Sequence, residues 1–433
     1  MPPSKNANLV LNAERSRRVR LVEAVASLRK GIALDSYHDQ VLALGPWARE
    51  LNYVNQHITV LQEQIDDAAK AYHSVARRLV NKLKWPDDAI KVLPQGSAST
   101  QTLIRSPDRS KFDVDAVCQV DLNRIAARDP IAFFDEVGEA LEPLDPTRKN
   151  RCWNVDFTGD PFYLEFTPCV PLDTVPTVVR EAVVGRYMPV EQYRSTALAV
   201  VDNKTRQWKT SNPEGMTKWV NDIAQRQLIR FVALESATAL DKALGIEPVP
   251  DQDVEITDTL KVAIRLFKRH RDMCVYRQKI DKEFKPISII IVTLLTSCYA
   301  GLADLGRTYS HPVEMLADLT ALLPGMVLKL NGEYRIDNPT VEGENFAERW
   351  NQDDGERYKA FETWCDILAA DMRTILAATD PQEIRERVRS VFGCGGNTSG
   401  SGGSSGSGGS GGSGNQQPTR RPPPPPPKTT GLA

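Results

Sequence analysis

Leu93-Pro94-Gln95-Gly96-Ser97 and, one loop further on, Lys111-Phe112-Asp113-Val114-Asp115-Ala116-Val117 are the stretches on which the architecture of this chain turns. Gly96-Ser97 predicts a small turn that can offer N–H groups and a hydroxyl to phosphates, because glycine lets the backbone approach closely. The second stretch predicts a β-strand. Residues two apart on a strand share a face, so Asp113 and Asp115 point the same way. Two such carboxylates repel, and burying them costs free energy unless a cation lies between them. Mg²⁺ favours this arrangement, taking one or two carboxylates and completing its shell with water and substrate phosphates. Asp-x-Asp alone is common on solvated strands. Here the Gly-Ser turn, the apolar flanks Phe112, Val114, Ala116 and Val117, and a third acid downstream set it apart.

That third acid lies in a predicted β-hairpin. Cys152 to Phe157 and Phe162 to Pro168 read as strands about a Thr158-Gly159-Asp160-Pro161 turn. Asp156 and Glu165 both qualify. Glu165 has aromatic and aliphatic neighbours on both sides, which a solvated glutamate does not need, whereas Asp156 is nearer the turn and suits a wet edge.

The 433 residues are 41% hydrophobic and 25% charged, enough for a large core or two lobes. A net charge of −2 argues against a nucleic-acid coat protein, and no stable nucleic-acid partner is expected. The seven cysteines are scattered with no Cys-x-x-Cys, and Cys118, Cys169, Cys298 and Cys365 sit in apolar surroundings. This predicts buried thiols in a reduced compartment, with no disulfide framework or structural zinc. The first residues lack an apolar signal-peptide core, and Ile287 to Leu295 is too short to cross a bilayer. A cytoplasmic protein with no membrane partner is expected.

Helices are predicted over 9 to about 31 and over about 47 to 84, the second a long amphipathic spine ended by Trp85-Pro86. Another is expected near 130 to 142, and almost everything from 217 to 392 reads as helical. Trp208 and Trp219 read as packing residues around a Ser211-Asn212-Pro213 turn. From Thr257 to Asp272, Leu260, Ala263, Ile264 and Phe267 form an apolar stripe; Lys261, Arg265 and Lys268 share another face, either solvated or holding a triphosphate. Residues 395 to 414 are nearly all Gly and Ser, a flexible coil or an engineered linker, and Pro422 to Pro427 form a polyproline segment before Ala433.

In order, Gln95-Gly96-Ser97, Asp113-Val114-Asp115, Glu165-Phe166-Thr167-Pro168, Ser211-Asn212-Pro213-Glu214-Gly215, Leu266 to Asp272, Lys285 to Ile291 and Glu344 to Trp350 resemble the cGAS/DncV-like nucleotidyltransferases (CD-NTases) of bacterial CBASS anti-phage systems. The resemblance implies an α+β fold: a bilobal polymerase-beta-like core with a mixed sheet, packed on a helical C-terminal lobe, plus a disordered tail. The expected divisions are 1–216, 217–394 and 395–433. It further implies synthesis of a cyclic oligonucleotide second messenger from NTPs, with ATP expected among the substrates. Asp113, Asp115 and Glu165 would be catalytic and ligate two Mg²⁺ ions, with Mn²⁺ as substitute. Gln95, Gly96, Ser97, Lys268 and Ser288 would bind nucleotide. Many relatives carry Asp at the third acidic position and an aromatic where this chain has Ala98. Some relatives are conjugated at the C-terminus by an E1/E2-like enzyme, which would make Ala433 the modified residue, and a downstream effector would read the product. A template-independent RNA nucleotidyltransferase and a silent scaffold acting through its Pro-rich tail are the alternatives.

Overall fold

The computed structural model describes residues 3–16, 37–86, 89–108, 111–122, 129–157, 159–229, 252, 254, 258–309 and 311–395, except the side chains of 37–44. The Gly/Ser tract, the proline run and Ala433 lie outside the described residues.

In chain order the first half comprises α1 (Lys5–Ser16), α2 (Tyr37–Ile58), α3 (Gln62–Leu83), β1 (Ile90–Pro94), a helical turn at Gly96–Ser99, β2 (Phe112–Val120), α4 (Pro130–Leu141), β3 (Thr147–Arg148), β4 (Trp153–Asp156) and β5 (Phe162–Pro171). There follow α5 (Thr177–Val184), β6 (Met188–Pro189), β7 (Leu198–Asp202), β8 (Gln207–Ser211) and α6 (Pro213–Ala224). The remainder is α7 (Thr259–Tyr276), α8 (Ser288–Asp304), α9 (Pro312–Leu322), β9 (Leu328–Leu330), β10 (Glu333–Arg335), β11 (Val341–Glu342), α10 (Glu356–Leu376) and α11 (Pro381–Phe392).

Strand alternation builds the centre of the sheet. On β2, Phe112, Val114 and Ala116 are buried while Asp113 and Asp115 between them are half-buried on the other face. β5 repeats the pattern, with Phe162, Leu164 and Phe166 buried around Tyr163 and Glu165. β2 and β5 run parallel, whereas β1–β2, β4–β5, β5–β7 and β7–β8 are antiparallel, so the sheet is mixed. The buried face packs on α3 and α4, where Phe133 lies between Trp85 (ring centroids 5.9 Å apart) and Trp208 (5.6 Å). Such aromatic pairs add about 1 kcal/mol each beyond their buried area.

A second core gathers α7, α8, α9, α10 and α11 together with residues of α1 and α2. The expected single spine from 47 to 84 is therefore two helices that serve different cores. α2 starts ten residues earlier than expected and runs through Pro46; it contributes Leu51, Val54 and Ile58 to the helical core, whereas α3 gives Ile65, Tyr72, Val75 and Leu79 to the sheet core. The break at Thr59–Leu61 is stabilised locally. The Arg105 N–H donates to the Ile58 carbonyl (2.8 Å), its guanidinium donates to the His57 carbonyl, and the Gln64 side chain accepts from the Leu61 N–H (3.3 Å). These bonds satisfy groups that a continuing helix would have paired internally.

α7 is the central strut of the helical core, and its polar side chains work inward. Arg269 donates to the carbonyls of Phe392 (2.9 Å), Gly393 (3.3 Å) and Arg105 (3.2 Å), tying the end of α11 and the loop after β1 to one helix. All seven cysteines are free and buried, three more than the four expected, because Cys152, Cys274 and Cys394 are also covered by packing. No described helix is long and apolar enough to cross a membrane.

Candidate active site

Asp115 on β2 is directly opposite Glu165 on the parallel neighbour β5, and Asp113 is opposite Tyr163. The three carboxylates thus lie on one face of two adjacent strands. Burial, then repulsion from Asp113 and Glu165, raises the Asp115 carboxyl well above the ordinary range. Burial and then Asp113 raise Glu165 as well. Cys152 lies beside Glu165, its Sγ 3.7 Å from Oε2, and burial together with the acids pushes its thiol up to about 12. Asp156, the alternative third acid, is opposite Tyr163 from the β4 side, exposed, and ion-paired with Lys111.

The Gly-Ser turn closes over these acids. Gly96 has φ +65°, and a Cβ there would fall 2.1 Å from Asp115 Oδ2, so only glycine fits both the backbone and the space. The Gln95 N–H donates to the Asp115 carbonyl (2.9 Å), and its side chain reaches Thr167 Oγ1 at 3.4 Å. Ser99 and Thr217 hydroxyls, 2.8 Å apart, link the turn to α6. The Asn212 side chain caps α6 by accepting from the Gly215 N–H, which makes it a structural residue of this wall.

A cavity of about 930 Å³ opens here, lined by Gln95, Gly96, Ser97, Asp113, Asp115, Lys268 and Ser288 among others. Of the residues expected to be catalytic or to bind nucleotide, Glu165 is the one that does not line it; it is paired with Asp115 on the neighbouring strand. Lys268 is buried and donates to the Thr102 carbonyl at 2.8 Å. Burial first, then Arg271, lowers its ammonium to about 8, against the opposing pull of Asp113 and Asp115. Arg271 bridges the Pro286 carbonyl (3.0 Å) and Ser288 Oγ (3.2 Å), so Ser288 is held by the same basic wall.

The basic face expected from Lys261, Arg265 and Lys268 divides. Arg265 is fully buried and donates to the Gln252 carbonyl (3.2 Å) and to Thr59; Lys261 binds Gln101 (2.7 Å) and Asp258 (3.1 Å). Only Lys268 of the three lines the cavity. The face is neither solvated nor a row of phosphate ligands, because helical periodicity does not show which loops pack against it. Arg271, Lys282 and Lys285 line the cavity instead; their signal was the density of cations around α7 and the loop that follows.

Among the described residues no group of three His, Cys, Asp or Glu side chains is arranged to hold a metal ion by itself. The donor set nevertheless suits a hard divalent cation that is completed by other ligands: all oxygen, mutually repelling and half-buried. Mg²⁺ in particular takes one or two carboxylates and leaves the rest of its shell to water and phosphate, so a cage is not what it requires.

Paired strand acids under a glycine turn, facing a basic helix across a nucleotide-sized cleft, define a nucleotidyltransferase type of architecture. No protein-family model matches the chain. A c-di-GMP synthase of Roseivirga ehrenbergii is 26% identical over 311 residues, covering 70% of this chain and 72% of that protein. The structure of the Bradyrhizobium diazoefficiens CD-NTase CdnG in complex with GTP superposes with a TM-score of 0.54 at 18% identity, covering 81% of this chain and 95% of the other. Escherichia coli MS115-1 CdnC with ATP gives 0.51 at 14% identity, covering 81% and 97%. The chain thus has the fold of the cGAS/DncV-like nucleotidyltransferases, as its motifs led one to expect.

Proposed function

We propose that this chain is a metal-dependent nucleotidyltransferase that joins NTPs, ATP among them, into a cyclic oligonucleotide second messenger for anti-phage defence in the cytoplasm. The observation that carries this reading is the register of Asp115 with Glu165, with Asp113 on the same face, beside a cleft that also holds Gly96, Ser97 and Lys268. The c-di-GMP synthase relative supports the product class.

In this reading Asp113, Asp115 and Glu165 are the catalytic carboxylates and would hold two Mg²⁺ ions, with Mn²⁺ as substitute. Bound there, the ions supply positive charge that acidifies the acceptor hydroxyl and neutralises the leaving pyrophosphate. Gly96 and Ser97 receive the donor phosphates on their N–H groups, with Gln95 bracing the turn against β2. Lys268 and Ser288 take phosphate oxygens from the other wall, where preplaced donors lower the barrier as charge develops. The acceptor ribose oxygen attacks the α-phosphorus and pyrophosphate departs; a second, intramolecular transfer closes the ring. Ala433 is the residue that an E1/E2-like conjugating enzyme would modify, and a downstream effector would read the product.

The test is product analysis. Purified chain incubated with labelled NTPs and Mg²⁺ or Mn²⁺ should yield a phosphatase-resistant cyclic oligonucleotide, identified by mass. The Asp113→Ala/Asp115→Ala double variant should yield none. A linear RNA product, or equal product from the double variant, would refute the proposal.

A further inference from the structure

The cavity has a second carboxylate wall that the phosphate chemistry does not use. Glu344 and Asn338 line it, together with Arg151, Ser211 and Phe346. Glu344 is held from both sides: Lys209 Nζ lies 3.1 Å from Oε1, and Asn338 Nδ2 donates to Oε2 at 2.7 Å. Asn338 is itself locked, because its Oδ1 accepts from both the N–H and the hydroxyl of Thr340 (2.8 Å each). Lys209 rests over the Tyr187 ring at 4.4 Å. Gly343 has φ +87°, and a Cβ there would come within 2.5 Å of the Arg186 carbonyl, so the loop carrying Glu344 is seated tightly on its neighbour.

A carboxylate has about four acceptor positions, and Lys209 and Asn338 take two. The rest remain for donors in the cavity. Arg151, half-exposed, is the cationic counterpart, its guanidinium 3.9 Å from Glu344 and 3.5 Å from Asp202. We infer that Glu344 and Arg151 form a guanine-selective base subsite of the cleft, with Phe346 as its apolar wall. This rests on the nucleotidyltransferase reading above and adds a base preference to it.

The selection follows from the edges of the bases. Guanine alone presents two adjacent donors, N1–H and N2–H, to a carboxylate, and its O6 and N7 acceptors suit an arginine fork. Adenine offers an N1 lone pair where guanine has a proton, so it meets Glu344 with repulsion. A preorganised polar subsite discriminates strongly because the wrong base leaves its buried groups unpaired.

The test is calorimetric titration of the full chain with non-hydrolysable GTP and ATP analogues in Mg²⁺. The wild-type chain should bind the GTP analogue tighter by about 10-fold or more. Glu344→Gln should lose about 10-fold for GTP and nothing for ATP, with an unchanged melting temperature as the folding control. Arg151→Lys, which keeps the charge and removes the fork, should weaken GTP binding selectively. Equal affinity for the two analogues in the wild-type chain overturns the guanine assignment alone. So does an equal loss for both in Glu344→Gln, which would leave Glu344 as a brace for its loop. Binding of neither analogue overturns the nucleotidyltransferase reading and this inference with it.

Discussion

Asp113 and Asp115 on β2 face the same cavity as Lys268 and Arg271 on α7, yet the two walls are organised differently. The acidic wall is made by alternation on a strand, with like charges forced together and partnered mainly by distance. The basic wall is made by a helix buried nearly all round, where most cations are spent on backbone carbonyls and Lys268 alone of its expected row reaches the cleft. One wall carries electrostatic strain that a ligand would relieve. The other has its cations already held in place by hydrogen bonds.

The largest expected effect tests that contrast at Asp115. Its carboxyl is raised in the folded state, so the ionised form costs stability that is recovered as pH falls and the group protonates. Asp115→Asn should lower the rate of product formation by on the order of 10³-fold while raising the melting temperature in metal-free buffer at neutral pH. The thermal gain should shrink at acid pH. A lower melting temperature at neutral pH would show that the acidic wall is not strained.

Gly96→Ala comes next. Its Cβ would displace the Asp115 carboxylate, and misplacement by about 1 Å costs on the order of 10²-fold in rate. Activity at a tenth of wild type or better would mean that the turn and the strand adjust independently.

The smallest effect concerns the basic wall. Lys268 loses its proton near pH 8 in the absence of phosphate, so triphosphate affinity should fall by about 10-fold as pH rises through and beyond that value. Bound phosphate will move the midpoint upward. Lys268→Arg stays charged and should flatten the profile, whereas Arg265→Met should destabilise the fold with the profile kept. An identical pH profile in Lys268→Arg would remove Lys268 from phosphate binding.

The same contrast explains what the sequence disclosed. Asp113, Asp115 and the hairpin bearing Glu165 were legible because period-two alternation fixes a face from neighbouring residues alone. The assignments of Lys261 and Arg265 failed because a helix buried on several sides has no solvent face to infer; among its partners Thr59 and Gln101 come from far away in sequence. The break between α2 and α3 was hidden for a related reason. Thr59-Val60-Leu61 contains neither proline nor glycine, and Arg105 supplies the terminating bonds from the loop after β1. Glu344 stood in a stretch marked only by resemblance, and its place in the cleft depends on Lys209, far away in sequence, as well as on nearby Asn338.

Gly96 and Asp115 occupy a single volume: the missing side chain of one is the room taken by the carboxylate of the other. Gly96 cannot gain a side chain without displacing the Asp115 carboxylate. For anyone redesigning this cleft, the phosphate turn and the acidic strand are therefore one inheritable unit, to be exchanged together or left intact.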